Sequence, residues 1–463
     1  MDGSARENIG TLIVLGATGD LTSRLLLPGL GRLLTEQPER RFTLVGADLP
    51  AEDGEAWTRT VRAAFDTAGA AGPAVDHVLA RTAYRVTDAT SAEDLQQLLD
   101  AADGIPALYF ALPPAVTARA VEALHRVTLP EGTVLALEKP FGGDRDSAAA
   151  LNRRITALVP EDQVFRVDHF LGKSTVLNML GLRFTNHVFE PLWNREHIES
   201  VEIVYDERLG LEGRAGYYDR AGALVDMIQS HLLQVMALVT MEAPVSMDAA
   251  DLRAVKAEAL RAVRPWAGDP VAAGRRARYT AGSVDGRHLP SYADEEGVDP
   301  DRGTETLAEV TLESRTWRWA GVPFVLRSGK ALSGARREVV VTFRGVPPVP
   351  TGLAGTIGPT VLRLCLGPDR MVLEINVNGP GDPFVLDRVP LTARLAGGRL
   401  DPYGEVLHGI LERDPTLSVR AEGAEHAWRV IDEIRAAWRS GRVPLEEYAA
   451  GSAGPASWRD GPG

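Results

Sequence analysis

From residue 11 to about residue 170 the chain keeps returning to one pattern: a short apolar run, polar residues or proline at its end, then a helical stretch. The runs are Thr11–Leu15, Arg41–Asp48, a short one near Ala83–Val86, Ala107–Leu112, Thr133–Gly142 and Val164–Val167. Continuous apolar, β-branched character without alternation marks strands buried on both faces. Strands that alternate with helices are joined as parallel neighbours, so the fold class is α/β, a doubly wound parallel sheet of Rossmann type. Such sheets present chemistry outside the carboxyl ends of their strands.

The first run leads into Gly16-Ala17-Thr18-Gly19-Asp20-Leu21 and then a helix through about Leu34. A buried strand, a Gly-rich turn and a helix open a dinucleotide-binding unit, with the helix N-terminus facing the pyrophosphate. Gly16, Thr18, Gly19, Asp20 and Leu21 are therefore candidate cofactor-binding residues. Their G-x-x-G-x-L spacing departs from G-x-G-x-x-G, and a plain βα turn is the alternative. Asp48 ends the second run, where an acidic residue hydrogen-bonds a ribose 2′-hydroxyl and favours NAD; NADP normally needs a nearby Arg. The alternative is that Asp48 caps the helix after Pro50. Residues 51–104 read as two amphipathic helices around a turn-rich segment, and Lys139–Pro140 is a candidate cis peptide.

The last run passes into Asp168-His169-Phe170-Leu171-Gly172-Lys173, and an apolar helical stripe follows. His169 and Lys173, four apart, can share a helix face at a positive helix N-terminus, which makes an anion clamp beside a carboxylate. Ordinary solvated polar groups are the alternative.

Beyond this point the pattern changes. Ser200–Glu207 alternates like a half-buried strand, and a long helix at 221–242 follows, carrying His231 with Asp226 one and a half turns earlier. Paired with a carboxylate, a His becomes a general base, its unperturbed pKa of about 6.5 lying near working pH; alone among Leu, Val and Met it is more often a core residue. Residues 264–303 read as a surface excursion. Thr306–Glu313, Pro323–Leu326, Glu338–Phe343, Val361–Leu366 and Met371–Val377 read as an antiparallel sheet with short turns. Ala424–Trp438 is an amphipathic helix, while residues 1–8 and the tail from Gly451 read as loose. The division expected is 1–175, a dinucleotide-binding domain, and 176–463, an α+β domain for substrate binding and oligomerisation.

The net charge is −13, which argues against a nucleic-acid partner. An anionic substrate then needs its own local cluster of cations. The single cysteine, Cys365, lies in an apolar run, excludes an intrachain disulfide and fits a reducing cytoplasm. No run of transmembrane length and no secretory signal stands out, so no membrane association is expected.

Six segments, taken together, resemble the glucose-6-phosphate dehydrogenase family: Gly16–Leu21, Glu138-Lys-Pro-Phe-Gly142, Asp168–Lys173, Gly213-Arg-Ala-Gly-Tyr-Tyr-Asp219, Gln229-Ser-His-Leu-Leu-Gln234 and Gly321–Leu332. The resemblance implies an NAD(P)-dependent oxidoreductase of glucose metabolism and the pentose phosphate pathway, without a metal, in homodimers or homotetramers. It implies that His231 takes the C1 hydroxyl proton of glucose 6-phosphate and that Asp168 holds His231. It implies that His169, Lys173 and Lys330 surround the phosphate, that Glu207 and Asp226 take sugar hydroxyls, and that Lys139 lies between sugar and nicotinamide. NADP is the family default, and Asp48 suggests NAD. The departures are Ser23 and Leu25 where the family usually has Lys, Asp48-Leu49-Pro50 in place of a basic residue, Ala335 where a second basic residue is common, and Ser230 for Asn. They leave open a divergent NAD-preferring dehydrogenase of a modified hexose phosphate. A non-catalytic nucleotide-binding regulatory homologue would be marked by loss of motif residues, and Asp168 and His231 are intact.

Overall fold

The structure, a computed structural model, describes residues 8–51 and 53–458. The chain gathers into two compact units. The first runs through Lys173 and takes in two later segments, Pro244–Ala257 and Gly398–Glu425; the second holds Ser174–Ala243, Glu258–Gly397 and the chain from His426 onward. A linear reading of boundaries does not carry those two returning segments.

The first unit is built on six parallel strands: β1 (Ile9–Leu15), β2 (Thr43–Asp48), β3 (Ala83–Val86), β4 (Ile105–Phe110), β5 (Val134–Glu138) and β6 (Val164–Val167). Their order is β3-β2-β1-β4-β5-β6, so strand order reverses at β1, between β2 and β4. Leu12, Val14, Leu44, Tyr109 and Phe165 meet Leu30, Trp57 and Phe65 in one core, and Leu407 and Ile410 of the helix Pro402–Glu412 join it. Between β2 and β4 there are three helices, Gly54–Thr67, Pro73–Arg81 and Ala92–Asp100, rather than two. Pro73 sits in the first turn of the additional one, where its missing N–H costs nothing.

The second unit carries a larger sheet. Its strands are β7 (Ile198–Asp206), β8 (Val263–Pro265), β9 (Gly274–Thr280), a separate hairpin of β10 (Gly282–Val284) and β11 (Arg287–Leu289), then β12 (Leu307–Ser314), β13 (Phe324–Gly329) and β14 (Arg337–Phe343). The remainder are β15 (Ala354–Gly355), β16 (Val361–Leu366), β17 (Asp369–Asn378), β18 (Val385–Arg394) and β19 (Leu445–Ala449). Eleven strands join in the order β15-β18-β17-β16-β14-β7-β13-β12-β9-β19, with β8 on β12.

Several expectations are corrected here. The sheet is mixed, because β7 pairs β13, β9 pairs β19 and β15 pairs β18 in parallel. Residues 264–303 are no mere excursion, since they supply β9, whose alternate residues Ala277 and Tyr279 are buried. β18 escapes a pattern search because Pro390 interrupts it and most of its side chains are exposed. The stretch after Gly451 is held in place, with the Gly451 N–H on the Ala331 carbonyl at 2.8 Å and Trp458 buried. The terminal residues 1–7 and 459–463 lie outside the described residues. One helical stretch, Ala215–Thr240, does reach the length and apolarity of a membrane span, but 89% of its apolar window is buried, as in a core helix. The Lys139–Pro140 peptide is cis, and so is Gly367–Pro368.

Gly16 fixes how the chain leaves β1. Its φ is +88°, and a Cβ there would stand 2.3 Å from the backbone oxygen of Ala111. Gly16→Ala therefore pairs a strained φ with an immovable neighbour. Chemical denaturation is expected to show a loss of about 1–3 kcal/mol or more; an unchanged midpoint would contradict this account of the turn.

Candidate functional site

In the first unit the nucleotide turn is closed by hydrogen bonds. The Gly19 N–H and the Thr22 hydroxyl both donate to the Gly16 carbonyl, at 3.1 and 3.0 Å. Asp48 reaches across from the end of β2. Its Oδ2 accepts from the Thr18 N–H at 3.1 Å and the Thr18 hydroxyl at 2.6 Å, and its Oδ1 accepts from Leu49 N–H at 2.8 Å. Asp48 is no helix cap, because Asp53 caps the helix that follows. Asp20 points outward, paired with Arg24 at 3.7 Å. Leu21 has helical dihedrals, yet Thr22–Leu26 forms a π-type turn before the α-helix Leu27–Glu36 begins. Pro28 explains the wide turn: it has no N–H for the carbonyl four residues back, and its ring crowds that carbonyl. Gly16 is buried, whereas Thr18 and Asp20 are exposed and Gly19 half-buried, so the outer side of the turn at these three residues is where a dinucleotide could bring its pyrophosphate to the helix N-terminus.

Two carboxylates end neighbouring strands. Glu138 closes β5, where the Tyr109 hydroxyl donates to it at 2.5 Å and the Tyr403 hydroxyl also hydrogen-bonds it. Burial pushes its carboxyl up to about 7, against the pull of the Tyr109 bond and of Lys139. Asp168 follows β6 and is buried. Burial raises its pKa, opposed by His169, the Phe170 N–H, Lys139 and Lys256. Its Oδ1 accepts the Phe170 N–H at 2.9 Å and so caps a 3-10 turn, His169–Gly172.

That turn corrects the expected clamp. Lys173 has extended dihedrals and the α-helix begins only at Ser174, so His169 and Lys173 do not share a helix face. The His169 ring stacks on Tyr403, centroids 5.3 Å apart and planes at 17°, and meets the edge of Phe170. The Lys173 Nζ stands 3.9 Å over the Phe170 ring. The two side chains thus gather around one aromatic ring rather than along a helix.

In the second unit the long helix is broken and restarted. Gly222, at φ +64° and ψ 176°, interrupts the stretch that starts at Ala215. The restarted helix is capped by Glu305: its carboxylate accepts the Leu224 N–H at 3.0 Å, and its backbone oxygen accepts the Ala223 N–H at 3.2 Å. That backbone conformation is open essentially to glycine alone, and a Cβ there would also push aside the Glu305 carboxylate, whose Oε1 would lie 2.2 Å away. Leu224–Leu232 is a π-helix, with the Leu233 N–H on the Ile228 carbonyl, and the Ser230 hydroxyl enters the ladder by donating to the Asp226 carbonyl at 2.6 Å. Bonding from i to i+5 stacks residues five apart, so Asp226 and buried His231 stand about one turn apart, not one and a half. Beside β7, Glu207 accepts from the Lys330 Nζ at 2.7 Å, and that Nζ lies 5.1 Å from the Tyr218 ring. Ala331, next to Lys330, holds φ +52°, a costly conformation that clusters at functional sites.

Motif reading passed over Glu138 and its partners Tyr109 and Tyr403, and also Lys256, Tyr218 and Glu305. Lys256 is buried, its pKa brought down to about 8 by burial while Asp168 pulls it up. Glu138 and Tyr218 stand inside motif segments and Tyr109 inside a strand run, so each carried a signal; Tyr403, Lys256 and Glu305 come from stretches with no motif.

Comparison with known proteins covers both units. Residues 13–178 match the model of the glucose-6-phosphate dehydrogenase NAD binding domain, and residues 180–460 match that of its C-terminal domain. Glucose-6-phosphate 1-dehydrogenase from Gluconobacter oxydans is 40% identical over 96% of this chain and 94% of its own. The crystal structure of the Mycobacterium avium enzyme of that name superposes with a TM-score of 0.84 at 33% identity, covering 97% of this chain and 96% of that one. A glucose-6-phosphate dehydrogenase in complex with its substrate glucose-6-phosphate gives 0.87 at 28%, covering 98% and 97%.

Glu138 makes a pH prediction. Its carboxyl rises from the ordinary 4.5 to about 7, so the folded chain keeps a proton that the unfolded chain has released. Stability from this group is full at low pH and falls as pH rises between those two values. Glu138→Gln, which can still accept from Tyr109, removes that fall. The melting temperature of the variant relative to the parent is expected to rise from about pH 5 to about pH 8; a pH-independent difference would count against it.

Proposed function

Because the chain belongs to the glucose-6-phosphate dehydrogenase family across both its domains, we propose that it oxidises C1 of glucose 6-phosphate to 6-phosphogluconolactone, at the entry to the pentose phosphate pathway. The observation that carries this reading is the placement of Asp168, buried beyond a strand of the nucleotide-binding sheet, in a chain that also keeps a buried His231 on its wide helix. His231 takes the C1 hydroxyl proton, and Asp168 orients the ring and favours its charged form. Loss of hydride builds positive character at C1, and prior removal of the hydroxyl proton relieves it. His169, Lys173 and Lys330 take the phosphate, supplying local cations in an acidic protein. Glu207, paired with Lys330, and Asp226 accept from sugar hydroxyls. Lys139, after β5, lies between sugar and cofactor.

The cofactor, when bound, supplies the hydride acceptor, and residues Gly16–Leu21 would hold its pyrophosphate. Asp48 makes NAD the preferred form. Its carboxylate is fixed by Thr18 at the end of β2, where it accepts from a ribose 2′-hydroxyl and repels a 2′-phosphate. A homodimer or homotetramer assembled through the large sheet belongs to the same proposal, supported by exposed Phe384, Val385 and Leu391 on and beside β18. A cytoplasmic setting fits the single, unbridged Cys365.

His231→Asn is expected to lower kcat with glucose 6-phosphate by about 10²–10⁴, with an unchanged circular dichroism spectrum; near-normal turnover would refute the base assignment. Asp48→Arg is expected to move the kcat/KM ratio roughly tenfold or more toward NADP, the effect of a new charge-assisted bond to the 2′-phosphate. No shift would mean that Asp48 only braces the turn.

A further inference from the structure

We propose that a cavity of about 320 Å³ in the second unit, lined by Arg220, Arg276, Arg302, Arg435 and Arg439, is a binding site for a small polyanion carrying two or more phosphate or carboxylate groups. None of Glu207, Asp226, His231 or Lys330 lines it, so it is separate from the residues given to the sugar phosphate.

The charge balance carries the inference. Five guanidinium groups converge on a space that contains only two carboxylates, Asp219 and Glu305, in a chain whose net charge is −13. Part of that positive charge is already answered. Arg302 donates to Asp219 at 2.7 Å and pairs with Asp299 at 3.5 Å. Arg276 donates to the carbonyls of Trp438 and Val443 and packs over the Trp438 ring, which anchors it in the wall. Arg220 and Arg439 are exposed, and among the described residues no ion pair holds either. Guanidinium forks left over at the rim of a cavity are the means by which proteins hold phosphates and carboxylates bidentately. The volume is that of a small-molecule site rather than a macromolecular groove.

The same cavity touches the start of the catalytic helix. Gly222, Leu224 and Val225 line it, and Glu305, buried in its wall, caps the Leu224 N–H. Arg276 and Arg435 act on that carboxylate. An anion among the arginines weakens their hold on it, so occupancy is transmitted to the first turn of the helix that carries Asp226 and His231.

The test is calorimetric titration of the full-length protein with pyrophosphate and, separately, with citrate. Saturating glucose 6-phosphate is present, which keeps the probes out of the sugar-phosphate site; cofactor is omitted, and binding that the arginine variants leave unchanged is assigned to the nucleotide turn. One equivalent of at least one probe is expected to bind per chain. Arg220→Gln/Arg439→Gln is expected to weaken it roughly tenfold or more, as one lost charge-assisted contact does, with KM for glucose 6-phosphate unchanged. The single variant Arg439→Gln gives a smaller loss if the double variant is poorly folded. Tighter pyrophosphate than citrate marks a phosphorylated ligand, and the reverse a polycarboxylate. Equal affinity in parent and variants, binding of neither probe at millimolar concentration, or a parallel rise in KM would overturn the proposal. The calorimetric result stands whether or not the protein turns glucose 6-phosphate over, so failure of the catalytic reading is distinguishable from failure of this one.

Discussion

To act as proposed, Asp168 must be ionised, yet its carboxylate is buried where water cannot help it. Burial alone can raise a carboxyl by up to about 3–5 pH units, while one nearby cation returns about 1–3. Asp168 accordingly draws on several sources: His169 and the Phe170 N–H from its own turn, Lys139 from beyond β5, and Lys256 from the helix Ala249–Arg261. Much of the first unit follows from that need. The parallel sheet brings the ends of β5 and β6 side by side, and the segment Pro244–Ala257 returns to this unit with Lys256 buried on it. Glu138 shows the converse. It shares the neighbourhood, leans on two tyrosines rather than on a set of cations, and titrates near neutrality.

The second unit solves a different problem, the placing of polar residues on a helix that is otherwise core. Breaking the helix at Gly222 and capping the new start with Glu305 fixes where it begins. The π-helical bonding that follows stacks Asp226 and His231, which an α-helix would turn to different sides. Both devices cost stability locally, and burial of Leu224, Ile228, Leu232 and Leu233 around them offsets that cost.

Much of this was legible in the residues. The parallel sheet followed from apolar runs without alternation, and all six of its strands lie where those runs are. The motif residues Asp168, His169, Lys139 and His231 stand out because polar groups at strand ends or in apolar helices are informative. What stayed hidden depends on wider backbone geometry or distant segments. The π turn at Leu224–Leu232 carries no proline, and the 3-10 turn at His169–Gly172 reads as helix by spacing. Tyr403 and Lys256 arrive from segments remote in sequence, and β18 is masked by Pro390 and its exposed face.

In the proposed reading, Asp48 ties the nucleotide turn to the choice of cofactor. It is held by Thr18 inside the turn itself, so its negative charge is part of the cradle rather than a loose side chain beside it. The most direct measurement is therefore the initial rate of the unmodified protein with glucose 6-phosphate, taken with NAD and with NADP side by side. The account predicts turnover with both and a higher kcat/KM with NAD. A strong preference for NADP, or no reduced cofactor from either, would contradict it.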